Sequence, residues 1–153
     1  MMNPEVLLLQ RKIAGYPEQI DKMQKRYSMV LAPKAATIES AIKGLNAYII
    51  QLKVNDSSFT KVGASISEDL ARLEEVISEE TAGGKELSES LRMSHVQLQH
   101  ASATVETYKN AIGAQLDSAR TALDTLTLAQ KHKKTLDVVN LLSMIEKGDG
   151  YKL

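Results

Sequence analysis

The groups in this chain that could do chemistry are three histidines, two carboxylate pairs, a Gly-Gly-Lys step and two basic clusters. His95 and His100 are the closest histidines, five residues apart. On a helix they leave by different faces, about 140° apart, so they cannot grip one metal ion together. No Glu stands three residues before His95, His100 or His132, so the Glu-x-x-His pattern of di-iron bundles is missing, as is the zinc pattern His-Glu-x-x-His. These are read as rim or exposed histidines, and no metal or cofactor is expected. Glu74-Glu75 and Glu79-Glu80 gather near Arg72, which reads as a solvated helical face. A general acid–base pair would need a pocket that raises one of the two pKa values. Gly83-Gly84-Lys85 matches only the last step of a phosphate-binding loop, because the earlier glycine and the preceding strand are missing. No catalytic residue, enzyme activity or small-molecule substrate is therefore expected.

The basic clusters are Lys22, Lys25 and Arg26, then Lys131, Lys133 and Lys134 around His132. Neither is interleaved with the aromatic rings on which single-stranded nucleic acid stacks. Nineteen basic residues balance nineteen acidic ones, so the formal net charge is zero. That disfavours a nucleic-acid binder, whose affinity comes largely from neutralising phosphates, and it weakens attraction to an anionic membrane surface. With no cysteine, the chain has no disulfide framework, thiolate metal site or thiol nucleophile. Val6-Leu7-Leu8-Leu9 is shorter than the core of a signal peptide, and no run reaches the ~18 apolar residues of a membrane span. A soluble chain without a secretory leader is expected, in the cytoplasm or within a macromolecular assembly.

The informative pattern is apolar. Leu87, Leu91, Ser94, Leu98, Ala101, Val105, Tyr108 and Ile112 step alternately by four and three, the spacing of a helix that lies along another helix. After a stutter the seam continues through Leu116, Ala119, Leu123 and Leu126. An earlier stripe runs through Val6, Leu9, Ile13, Tyr16, Ile20, Met23, Tyr27 and Val30. Asn3-Pro4-Glu5 is a favourable start for it. Pro17 predicts a kink or tight break with the stripe kept in phase. At Pro33 the stripe shifts by one position, to Leu31, Ala35, Ile38, Ile42, Leu45, Ile49 and Leu52, which predicts a bend. Asn55-Asp56-Ser57-Ser58 reads as the end of this arm. Ser65-Ile66-Ser67-Glu68 then reads as a capping box that opens the next helix, with Asp69 in its first turn and Ile66, Leu70, Leu73 and Ile77 on its stripe.

Gly83-Gly84 has two readings: a reversal of the chain, or a soft point in one long helix, since the rhythm passes through it in phase. Ser118, Thr121, Thr125 and Thr127 form a hydroxyl-rich stretch, either solvated or packed on several sides. Leu136, Val139, Leu142 and Ile145 lie in a wide final stripe that predicts contact with more than one neighbour. Lys147-Gly148 reads as a helix stop.

The fold expected is all-α: an elongated bundle or hairpin of long, kinked helices with coiled-coil-like packing. It forms a single helical domain over 1–153, with an arm over 4–54, a connector over 55–64, a helical region over 66–147 that is open to a break at 83–84, and a tail over 148–153. The arm would be roughly 75 Å long, the stretch from 85 to 147 roughly 95 Å and the piece between about 25 Å. Such unequal lengths leave apolar stripe without a partner inside one chain, and an uncovered stripe is an association surface. The function expected is thus a non-enzymatic structural or assembly protein. It would self-associate, or join other subunits, through Leu87, Leu91, Leu98, Val105, Tyr108, Ile112, Leu116, Leu123 and Leu126. A viral particle or a secretion machine would suit its neutrality and long hydroxyl-rich helices. The alternatives are an adaptor or chaperone that takes a partner's amphipathic helix on the face of Leu136, Val139, Leu142 and Ile145, and a peripheral membrane-binding module.

Overall fold

A computed structural model describes residues 4–84 and 86–148, with the backbone alone at 146–148. All the regular structure among them is helical: α1 (Pro4–Ser28), α2 (Ile38–Ala82), α3 (Glu89–Lys131) and α4 (Val138–Gly148). Asn3, Lys85 and 149–153, on which the N-terminal cap, the last residue of the Gly-Gly-Lys step and most of the tail were placed, lie outside the described residues.

The starts of α2, α3 and α4 each have a side-chain cap. Thr37 Oγ1 accepts from the Ser40 amide, Ser88 Oγ from the Leu91 amide and Asp137 Oδ1 from the Asn140 amide, so each satisfies a donor that a first helical turn leaves without a partner. The helix ends are equally local. At the end of α2, Gly84 takes a left-handed φ of 79° while its amide reaches Thr81 O. At the end of α3, Lys133 takes φ 53°, its amide donates to Gln130 O, and the Lys134 amide donates to Ala129 O. That pair of bonds is the Schellman closure, here built on a lysine where glycine is the usual residue.

Three sequence expectations are corrected. The arm over 4–54 is two helices, because α1 stops at Ser28 and 29–37 is not helical. Pro33, which has no amide proton to give to a helix, sits in that segment and packs on Gly44, where an added Cβ would lie 2.7 Å from the Pro33 Cβ. The connector over 55–64 does not exist, since these residues are inside α2. The capping box at Ser65–Glu68 is likewise mid-helix. The reason is a continuous seam. Ala41, Leu45, Tyr48, Leu52, Phe59, Val62, Ile66, Asp69 and Leu73 are buried, and with Asn55 they keep one four-three rhythm from 41 to 73. Of the four polar residues at 55–58 only Asn55 lies on that seam; Asp56 and Ser58 flank it half-buried, and Ser57 is exposed. Around Ile42 the core also differs from expectation: Ala41 and Tyr48 are buried, while Ile42 is half-buried and Leu31 exposed.

The contacts group the chain into two compact units: Met1–Gln24 with Phe59–Thr107, and Lys25–Ser58 with Tyr108–Leu153. In the first unit α1 is antiparallel to α2, since Glu5 meets Arg72 while Lys12 and Tyr16 meet Asp69. Between α2 and α3, Glu74 meets His95 and Gly63 lies against Val105. These pairings are antiparallel too, so the chain reverses between α2 and α3. α1 passes through Pro17 with its helix unbroken and its stripe from Val6 to Tyr27 buried. In the second unit α2 up to Ser58, α3 from Tyr108 onward and α4 share a core. Ala111, Ala119, Ala122 and Ala129 are buried in it beside Ile112, Leu116 and Leu126, and such small side chains let helices approach closely.

Candidate functional site

Two places stand out chemically, one in each unit. The first is a polar cluster in the core of the first unit. Asp69 is buried on the seam of α2. Its carboxylate accepts a 2.5 Å bond from the Tyr16 hydroxyl and a 3.2 Å bond from Lys12 Nζ. A buried carboxylate is costly unless it is paired and hydrogen-bonded, and here both oxygens are engaged. Burial first, and then the bond to Asp69, raise the Tyr16 pKa well above the ordinary phenol value. Nearby, Gln10 donates to Ser90 and Ser94. The cluster thus joins α1 to α2 and α3 and fixes their register, with its own groups satisfying one another. Asp69 was read as a first-turn charge. The signal that finds it is the four-three rhythm extended through Phe59, Val62 and Ile66, which places Asp69 on the seam.

The second place surrounds α4. Val138, Leu142 and Ile145 are buried, whereas Val139 and Met144 remain 62% and 59% exposed. Leu136 precedes the helix and is half-buried. The expected partner face is therefore divided: Leu142 and Ile145 pack inside the unit, and Val139 alone faces outward. Three grooves flank α4. One of about 330 Å³ runs past Pro33, Ala35, Val139 and Leu142. One of about 360 Å³ runs past Leu31, Tyr48, Gln115 and Ile145. The third, about 260 Å³, lies against α3 between Ser118, Thr121, Ala122 and Met144. The hydroxyls of this region turn inward along their own helix: Thr121 bonds Asp117 O, Thr125 bonds Thr121 O and Thr127 bonds Leu123 O. Each donor is used, so the threonines offer their methyl groups outward. Under the groove past Tyr48, the Tyr27 hydroxyl donates to Gln115 Oε1 at 2.6 Å, and the Tyr27 and Tyr108 rings meet edge to face at 5.8 Å. Burial, then the neighbouring Tyr48 and Tyr108, push the Tyr27 pKa up to about 12.

The expected association seam lies elsewhere. Leu91, Leu98, Val105, Ile112, Leu116 and Leu126 are buried within one chain, Tyr108 and Leu123 are half-buried, and Leu87 precedes α3. The premise of an uncovered seam is corrected by the helix lengths, for α2 and α3 have 45 and 43 residues. The mismatch came from the misplaced connector.

The remaining chemical candidates are dispersed. His95 faces Glu74 at 3.5 Å, and His100 lines a groove with Pro17, Asp21 and Gln97. Arg72 bonds Glu5 at 2.6 Å beside Glu75, Glu79 and Glu80. Lys22 pairs with Glu18 along α1, and Lys131 to Lys134 are exposed at the end of α3. Among the described residues no group of three or more His, Asp or Glu is placed to hold a metal ion, and no helix is long and apolar enough to cross a membrane. No protein-family model, curated protein or solved structure matches the chain.

Proposed function

We propose that the chain is a non-enzymatic structural or assembly protein that self-associates as a subunit of a larger complex, and that it does so through its second unit. The coiled-coil-like seam of α3 serves the core of each copy. The observation that carries the reading is the divided face of α4, where Val139 and Met144 stand exposed, each at the rim of one groove, while Leu142 and Ile145 are buried. Met29 and Leu31, 78% and 77% exposed, add apolar surface within the same unit. Apolar side chains of this size, left in water beside grooves, are what a protein contact would cover. In the first unit the buried polar groups are spent on one another, as befits a scaffold.

The test is the solution mass of the full chain over a range of concentrations, alone and with Val139→Asp and Met144→Asp combined. Mass that rises with concentration, and falls back to one copy in the variant, supports the reading. A single-copy mass throughout the micromolar range contradicts it. A second reading, an adaptor that takes a partner's amphipathic helix, draws on the methyl-lined groove between α3 and α4. It gains if the chain stays single while a helical ligand protects Thr121 and Met144 from exchange or labelling.

A further inference from the structure

We infer that copies of this chain associate by exchanging α4, the α4 of one copy filling the groove in the second unit of the other. This rests on the self-association proposed above and specifies its contact. The occupant follows from what already sits in the groove. α4 has 11 residues, too few to be a stable helix alone. Its order comes from a single stripe, Val138, Leu142 and Ile145, buried against the unit. The contact these three side chains make is apolar, so shape and burial do the holding along this stripe. A second copy carries the same stripe and fits the same groove identically. The grooves along both flanks of α4 leave it open to release without disturbing the α2–α3 core.

The tether supplies the bias. Residues 132–137 join α3 to α4, enough chain to reach about 20 Å when extended. The closed form holds Lys133 at φ 53°, a left-handed conformation that only glycine adopts without cost. A short tether favours its own α4 by a high effective concentration. An extended tether escapes the conformation at Lys133, twice over in a reciprocal pair, and exchange between identical copies needs no new contact. It also brings the copies together where Val139 and Met144 await cover.

The experiment uses the full chain, which has no cysteine of its own. Ser118→Cys and Met144→Cys, at two positions lining one groove, are introduced into a size-tagged copy and an untagged copy. The two are mixed at a concentration where the chain associates, then oxidised. Exchange yields a disulfide-linked tagged–untagged pair whose bridge joins the thiol introduced at 118 of one chain to that introduced at 144 of the other. Bridges found only within single chains or only from 144 to 144, while the unsubstituted protein associates, overturn exchange and leave surface self-association standing. An unsubstituted protein that stays single at every concentration removes both. Should the thiols fail to join, Lys133→Gly decides. By relaxing the closed form it should weaken association about tenfold or more, and an unchanged dissociation constant overturns the inference.

Discussion

Tyr16, Tyr27, Asp69 and Gly44 carry most of the specific information at the scale of single residues. Both phenols are held neutral by burial, with Tyr27 pushed up to about 12 and Tyr16 raised further by its bond to Asp69. The unfolded chain loses these protons near the ordinary value of about 10. Below that pH both states keep them and their contribution to stability is whole. As pH rises from about 10 toward about 12 the unfolded chain ionises first, so stability should fall. Ultraviolet titration should show a late tyrosinate component, lost in part in Tyr16→Phe and in part in Tyr27→Phe. A single tyrosinate transition near 10 in the native protein would contradict these burials. Tyr16→Phe should also cost about 1.5–3 kcal/mol in chemical denaturation at neutral pH, the range for a hydrogen bond to a charged group. Gly44 supplies an independent check. A methyl group there meets the Pro33 ring at 2.7 Å, so Gly44→Ala should destabilise by about 1–3 kcal/mol, against the gain of up to about 1 kcal/mol that alanine brings to a helix interior. A more stable Gly44→Ala protein would mean that Pro33 does not pack there.

Among the elements, the stripes of α1 and α3 are legible in the sequence because their apolar rhythm is unbroken in residue type, but their ends are not: the expected helical region over 66–147 also breaks at 132–137. Every stripe residue of α1 from Val6 to Tyr27 is buried, and most of the α3 seam is too. α2 was misread for a specific reason. Its seam crosses Asn55 and Asp69, two polar residues at core positions, and turn-forming residue types outweighed the spacing. Ser57 and Ser58 fit a helix here because Ser57 is exposed on the far side from the seam and Ser58, half-buried beside it, returns its hydroxyl to Val54 O. The opposite error fell at 29–37, where Thr37 caps α2 only four residues after Pro33 and a bend was expected instead of a break. Gly83-Gly84 could not be resolved from rhythm alone, because the phase happens to run on through a reversal. Hydrogen exchange distinguishes the two readings of α2. Amides from 55 to 64 should exchange as slowly as those from 45 to 52, while those from 30 to 36 exchange fast. Rapid exchange or proteolytic cutting at 55–58 in the native protein would restore the connector.

For the whole molecule, the change from sequence to structure is one of where apolar surface is left over. Matched long helices bury the α3 seam inside one chain, so a charge at Leu98, which is fully buried, should abolish folding and tells nothing of assembly. In the second unit, exposed apolar side chains stand on α4 and on the segment before α2, as well as at Ile50, Val54 and Leu128, while Leu7, Leu8, Met93 and Val96 are exposed in the first. The α4 region was legible in the sequence as a wide stripe at 136–145. Which of its side chains are outward was not, because that depends on the angle at which the tether sets α4 down. The most direct measurement is therefore the mass of the full chain by light scattering or sedimentation as concentration rises, compared with Val139→Asp/Met144→Asp under the same conditions. The expected result is association beyond the 16.8 kDa single copy in the unsubstituted protein, with the variant equally helical but single. A single copy at every concentration, or a variant that associates as well as its parent, would contradict assembly through α4.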